Sequence, residues 1–259
     1  ILARGTIPIL TTIPQRANRP NLDLMVPTLN QLIRGLAQHH QVPLIDYHLA
    51  LSDLDGYGLS GDGVHPSAMC QDRTLCGCVF DEAGATYGYN VRNWITLEAL
   101  TRTRSALMPG AGPLNPETIP ALSGTGTAQS PLLIDRIPFA DYRDTSTSTQ
   151  DELNAYTGCG ASQDESGPEI LYRLDLDSAR RLRFLVIDRD GVDMDVHLLA
   201  QAPGEEQCVE RNDVLVDRRL DAGTWYIAID TFVASNAQEQ AGEYLFTIVE
   251  CEADDPSCD

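Results

Sequence analysis

The hydrophobic period of this 259-residue chain switches once, from helical to alternating, across a proline-rich stretch. From Thr28 to His40 the apolar residues Leu29, Leu32, Ile33, Leu36 and Ala37 recur at helical spacing, with Thr28 placed to act as N-cap. Past residue 131 the period is two: Tyr172, Leu174 and Leu176 alternate with Arg173, Asp175 and Asp177. Trp225, Ile227 and Ile229 alternate in the same way, as do Tyr244, Phe246 and Ile248. A pattern of period 3.6 cannot lie flat in a sheet, and one of period two cannot line one face of a helix. Two architectures are therefore expected. Pro109, Pro113, Pro116, Pro120 and Pro131, with Gly, Ser and Thr between them, read as the junction. The expected division is 1–108, a linker at 109–125, a β-sandwich at 126–252 and an acidic tail at 253–259.

The first half reads as α/β. Residues 6–13 form an apolar, β-branched run that predicts a buried strand, and Val42 to Tyr47 predicts a second. Strand, helix, strand over this length is a βαβ unit and implies a parallel sheet. A second amphipathic helix, Asn93 to Met108, sets Trp94, Leu97, Leu100 and Arg104 on one side. Two strands and two helices bury too little surface for a stable α/β domain, so this half is expected to need further strands. The second half, with several short strands broken by Gly and Asp turns, predicts an all-β sandwich.

Charge and cysteine content narrow the partners and the compartment. Residues 1–120 hold ten acids and eight arginines, and residues 121–259 hold 28 acids and ten arginines, giving −2 and −18 of the net −20. Such a field repels nucleic acid and anionic membrane. No run of about 18 apolar residues is present, so no membrane-spanning helix is expected. Seven cysteines fit an exported protein: secreted, periplasmic or at the cell surface. Cys159–Cys208 and Cys251–Cys258 are the preferred pairs, with two of Cys70, Cys76 and Cys78 joined, although sequence leaves the connectivity open. The odd number leaves one thiol free or its partner elsewhere. Cys76-Gly77-Cys78 is too tight for a zinc knuckle.

The densest chemistry lies in Asp62-Gly63-Val64-His65-Pro66, which follows Gly58-Leu59-Ser60-Gly61. A carboxylate and an imidazole three residues apart can meet through one tight turn, which fixes a tautomer and leaves the other nitrogen as a general base. The plain alternative is a turn at Asp62-Gly63 with His65 an ordinary surface residue. His39, His40 and His48 read as helix-end and strand-end residues. With Ile7–Ile13 ending in Pro14, the Asn30 helix and Val42-Pro43-Leu44-Ile45-Asp46 standing upstream in order, residues 1–107 resemble the C-terminal portion of an SGNH (GDSL-type) hydrolase. The resemblance implies a partial flavodoxin-like parallel sheet and serine-dependent hydrolysis of an ester: a lipid, an acetylated sugar or a small ester. It makes His65 the base and Asp62 its orienter, with no cofactor. The family's Gly-Asp-Ser block, and the Gly and Asn blocks that complete its oxyanion hole, have no counterpart here, and Ser60 and Ser67 stand too close to His65 to substitute. The expectation is thus a fragment that starts mid-domain, with the nucleophile on a missing N-terminal segment. A non-catalytic secreted binding or attachment protein, or one chain of a two-chain hydrolase, are the alternatives.

Cys159 through Gly167-Pro168-Glu169-Ile170-Leu171-Tyr172, then Val192 to Leu199, then Gly223-Thr224-Trp225-Tyr226 through Asp230, resemble a pre-peptidase C-terminal-type sandwich. That resemblance implies an accessory role in secretion, attachment or substrate association. Asp188, Asp190, Asp193 and Asp195 form an acidic cluster whose oxygens suit Ca²⁺, the one cofactor candidate, though without the glycine and glutamate of an EF-hand loop. Alternation sets Asp193, Asp195 and His197 on one strand face, opposite Met194, Val196 and Leu198, and that polar face is expected to be solvated.

Overall fold

A computed structural model describes residues 1–70, 76–108, 122–189 and 191–251. The chain divides into two compact units, Ile1–Thr118 and Ile119–Asp259.

In the first unit β1 (Leu10–Thr11) pairs parallel with β2 (Leu44–Ile45), in the register Leu10 to Leu44 and Thr11 to Ile45. Both strands are shorter than the predicted 6–13 and 42–47. Pro8 and Pro14 flank β1 and Pro43 leads into β2, and proline offers no N–H to a ladder. Single bonds extend the pairing, from Leu10 N–H to the Pro43 carbonyl (2.9 Å) and from Thr12 N–H to that of Ile45 (3.1 Å). A short helix α1 (Pro20–Asp23) precedes α2 (Val26–His39), which joins the strands. Thr28 is not the N-cap: Met25 is, because Pro27 takes the first turn, where its missing N–H costs nothing. Thr28 lies inside the helix, buried, its hydroxyl without a partner among the described residues. The side-chain amide of Asn30, fully buried on α2, clamps the end of β1: Oδ1 accepts from Ile13 N–H (2.8 Å) and Nδ2 donates to the Ile13 carbonyl (2.9 Å).

Asp46, which ends the second strand region, is the N-cap of α3 (Tyr47–Ser52) and accepts from Leu49 N–H. It also takes two bonds from Arg34 of α2, at 3.0 Å each, and one from the Thr12 hydroxyl at 3.0 Å. One carboxylate thus ties β1, α2 and α3 together. The last helix, α4 (Gly88–Leu107), starts five residues before the expected Asn93, since the Ser67 hydroxyl accepts from Gly88 N–H (3.0 Å) at its open end. Its stripe of Trp94, Leu97 and Leu100 is exposed, with Phe80 edge-on to the Trp94 ring at 5.5 Å.

The second unit is a β-sandwich. One sheet is ordered β3 (Leu132–Ile134), β5 (Ile170–Leu176), β10 (Gly223–Thr231), β7 (Met194–Ala200), β8 (Cys208–Asn212). The other is ordered β4 (Phe139–Asp144), β11 (Glu243–Glu250), β6 (Arg180–Ile187), β9 (Leu215–Leu220). Every pairing is antiparallel except β3 with β5. The alternating residues read from sequence build the interior: Tyr172, Leu174, Ile227, Ile229, Phe246 and Ile248 are buried between the sheets. The five-stranded sheet is buried on its other face as well. There Leu171, Leu199 and Ala228 pack beneath Leu153 and Tyr156, and the Cys159–Cys208 disulfide fastens that cover to β8.

That second layer corrects one expectation. The face of β7 carrying Asp195 and His197 is not solvated; the two residues are 1% and 0% exposed. Residues 109–121 of the expected linker and 253–259 of the expected tail lie outside the described residues. The linker's last residues belong to the sandwich, through Leu133 N–H to the Ser123 carbonyl (2.8 Å) and Thr125 N–H to that of Ser130 (2.8 Å).

Candidate functional site

The Asp62–His65 loop follows α3 and a turn in which Gly56, Tyr57 and Gly58 all take positive φ. Leu59 and Pro66 bridge antiparallel, and Ser60 N–H donates to the His65 carbonyl (2.7 Å), so the five intervening bonds of chain close into a tight loop. Gly63 makes the closure possible. Its φ of 68° is left-handed, and a Cβ there would stand 2.7 Å from the backbone nitrogen of Asn18, in the segment that follows β1. The loop thereby lies against the Ala17–Asn18 backbone.

Within this loop the side chains meet as the spacing predicted. His65 Nδ1 lies 2.7 Å from Asp62 Oδ2, while Asp62 Oδ1 accepts from the Ser60 hydroxyl (2.7 Å) and from the N–H groups of Val64 and His65 (3.0 Å each). The Ser60 hydroxyl, then the imidazole, then the two amides hold the Asp62 carboxyl well below the usual carboxylate range. An ionised Asp62 requires the proton on Nδ1, which leaves Nε2 as the acceptor. The imidazole is 61% exposed, and no serine, threonine or cysteine among the described residues bonds to Nε2. Ser60 is committed to Asp62, and Ser67 Oγ receives Gly88 N–H. The pair can therefore accept a proton from outside the loop but activates no hydroxyl of the described residues. Of the other histidines, His39 closes α2, His40 follows it and His48 lies in the first turn of α3.

The sandwich holds a second polar assembly that sequence reasoning only partly reached. Glu165, Glu169, Asp195, His197, Asp230 and Tyr156 are all essentially without solvent exposure. The Tyr156 ring stacks on the His197 ring, with centroids 3.5 Å apart and planes 9° apart, and its hydroxyl donates to Asp230 Oδ2. An Arg211 amino group donates to Asp195 Oδ1 (2.5 Å) and to Glu165 Oε1 (3.2 Å), and Glu169 Oε1 accepts from Glu152 N–H (3.0 Å). Neither nitrogen of His197 has a hydrogen-bond partner among the described residues; Nε2 stands 3.9 Å from Glu165. Burial raises every one of these carboxyls, Glu169 to about 7, and lowers His197. The assembly is closed to solvent and positions no group for chemistry on a ligand. Asp230 was readable as a carboxylate ending the apolar run Ile227–Ile229, a position that demands a partner; Tyr156 and Glu165 carried no periodic signal.

Among the described calcium candidates, burial and then the like charge of Asp188 raise the Asp193 carboxyl. Asp188 Oδ2 accepts from Met194 N–H (2.9 Å), Asp195 is bound to Arg211, and Asp190 lies outside the described residues. Among the described residues no group of three or more His, Cys, Asp or Glu is placed to hold a metal ion. Cys70–Cys76 and Cys159–Cys208 are disulfides, Cys78 is free and exposed, and Cys251 is disulfide-bonded, with its expected partner Cys258 outside the described residues. The disulfides fit an oxidising compartment, and among the described residues no helix is long and apolar enough to cross a membrane.

No protein-family model matches the chain, and no curated protein matches it. Among solved structures it is similar to the pre-peptidase C-terminal domain of a collagenase from Bacillus anthracis, at 12% identity and a TM-score of 0.27, over 43% of this chain and 88% of that one. It is also similar to a periplasmic inhibitor of g-type lysozyme from Aeromonas hydrophila (13%, TM-score 0.31, 48% and 95%). A family 35 carbohydrate-binding module from an environmental isolate aligns at 17%, with a TM-score of 0.20, over 41% and 90%. At these scores the sandwich rests on its own sheet order and register.

Proposed function

We propose that the chain belongs to an exported protein with two tasks: a non-catalytic binding or attachment role in the sandwich, and the base half of a serine ester hydrolase in the first unit. The observation that carries the hydrolase reading is the 2.7 Å contact from His65 Nδ1 to a strongly acidic Asp62, beside a solvent-facing imidazole. His65 would take the proton of a serine and return it to the departing alcohol, while Asp62 holds the ring and its charge. That serine and the donors for the oxyanion would come from polypeptide outside the described residues, seated within reach of His65 Nε2. The binding role of the sandwich is supported by what its polar interior does: its perturbed acids and His197 are sealed, so whatever the unit contributes is exerted from its surface.

The test is fluorophosphonate labelling of the complete gene product, with hydrolysis of p-nitrophenyl acetate measured alongside. Labelling of one serine that falls away in His65→Ala supports the reading. Equal labelling of wild type and His65→Ala, with equal hydrolysis, sinks it and leaves the binding role alone.

A further inference from the structure

We infer that the sandwich carries a cleft for one ring of a neutral carbohydrate, held between the Arg143 guanidinium and the Asp144 carboxylate. This rests on the reading of the sandwich as a binding unit and names its ligand class. The cleft, of about 280 Å³, opens where the end of β4 and the following turn meet the loop leading into β3 and the start of β5. Its volume lies just below the ~300–1,000 Å³ usual for small-molecule sites, room for a single ring.

The cleft offers unused hydrogen-bonding capacity of both signs. Arg143 commits Nε to Asp141 at 2.5 Å, and its two terminal amino groups have no hydrogen-bond partner among the described residues. Asp144 Oδ1 accepts from the N–H and hydroxyl of Ser146 (2.9 and 2.5 Å), and Oδ2 has no hydrogen-bond partner among the described residues. The Thr149 hydroxyl lines the cleft unpaired among the described residues, whereas the hydroxyls of Thr125 and Thr127 lie 3.3 Å from one another and are both engaged with Ser130, Thr125 donating to its carbonyl (3.4 Å) and Thr127 accepting from its N–H (3.2 Å). Leu132 and Ile170 supply an apolar floor. Behind the cleft, Asp141 also accepts from the buried Tyr172 hydroxyl (3.1 Å), which pairs with that of Tyr244 (2.8 Å), so the Arg143 fork is backed by a fixed network.

That inventory selects the ligand. Asp141 already balances the Arg143 guanidinium and Asp144 adds a second carboxylate, so the cleft draws no anion by charge, and the Arg143 amino groups that face it oppose a cation. An anion must also approach residues 121–259, whose net charge is −18. A vicinal diol accepts from a guanidinium with one oxygen and donates to a carboxylate with the next, while its ring C–H groups cover apolar side chains. A neutral sugar ring has all three properties.

Native gels of the full chain, cast with soluble xylan, dextran or galactomannan and in parallel with heparin, test this. Retardation by at least one neutral polysaccharide is expected, weakened about tenfold in Arg143→Met and about two- to fivefold in Thr149→Val, which breaks no bond within the protein. Unchanged mobility in all three neutral gels, equal retardation of wild type and both variants, or retardation by heparin alone overturns the proposal. Sedimentation with washed bacterial envelopes separates the two readings. Wild type and both variants sedimenting alike would remove the cleft and keep the binding role, and a wild-type chain that sediments with nothing and is retarded by nothing would remove both.

Discussion

Two histidines of this chain each stand beside a carboxyl group, in opposite surroundings. His65 is largely exposed and touches Asp62 at 2.7 Å; His197 is fully buried, stacked on Tyr156, and stands 3.9 Å from Glu165. Around the first, hydroxyl and amide donors hold the carboxyl ionised; around the second, burial drives the carboxyl toward its neutral form and the imidazole with it. The first pair keeps a carboxylate charge in water, bonded to an exposed imidazole. The second holds groups whose charged forms burial disfavours, with Arg211 donating to Asp195 and Glu165. Residue type alone does not assign a role; solvent and the neighbouring donors do.

The largest separation between the two regions should appear in rate. In the complete gene product, Asp62→Asn and His65→Ala are each expected to lower ester turnover about 10³–10⁴-fold with the melting temperature unchanged. His197→Phe should leave turnover intact. A loss of turnover from His197→Phe in a protein still folded, or none from Asp62→Asn, would break the division.

Stability should respond the other way. Arg211→Met takes its cation from buried Asp195 and a hydrogen-bond donor from Glu165, and at pH 8, above the Asp195 value of about 6, leaving that carboxylate unpaired costs about 3–5 kcal/mol. Urea denaturation followed by Trp225 fluorescence in a Trp94→Phe background reads the loss; a change under about 1 kcal/mol would mean the assembly is neither buried nor coupled as described.

Acidity gives a smaller, graded contrast. An acid raised in the fold binds its proton more tightly there than in the unfolded chain, so its stabilisation is complete at low pH and is lost as pH rises through the folded value. Glu169, at about 7, should lose its contribution between about pH 5 and 8, and Glu165, Asp195 and Asp230 act in the same direction. His197, held neutral, opposes them only below its unfolded value of 6.5. The urea midpoint of the sandwich should therefore rise from pH 8 to pH 6, with part of the rise abolished in Glu169→Gln. A midpoint that falls over that range would show the acids ionised in the fold.

Local rules carried the exposed region and failed in the buried one. The Asp62–His65 contact was legible because three residues, one left-handed glycine and a proline determine it without help from the rest of the chain. Tyr172, Ile227 and Phe246 were legible for a similar reason, since period two places them whatever covers the other face. His197 and Asp195 were misjudged because their burial depends on a segment some 40 residues upstream, around Leu153 and Tyr156, with no period of its own. Thr28 failed as a cap on a local rule that lost to another: Pro27 took the first turn.

The smallest effect lies one step behind the exposed pair. The Ser60 hydroxyl is the largest single influence holding the Asp62 carboxyl down, yet it touches Oδ1 and not the oxygen that meets His65. Ser60→Ala leaves the Oδ2 contact and both backbone donors in place, so turnover should fall only about two- to fivefold, the worth of one neutral hydrogen bond. The turnover that remains should still be lost on adding His65→Ala. A loss approaching that of Asp62→Asn would mean that Ser60 stands in the chemistry itself, as the hydroxyl His65 deprotonates, and the division between a pair supplied here and a nucleophile supplied from elsewhere would have to be redrawn.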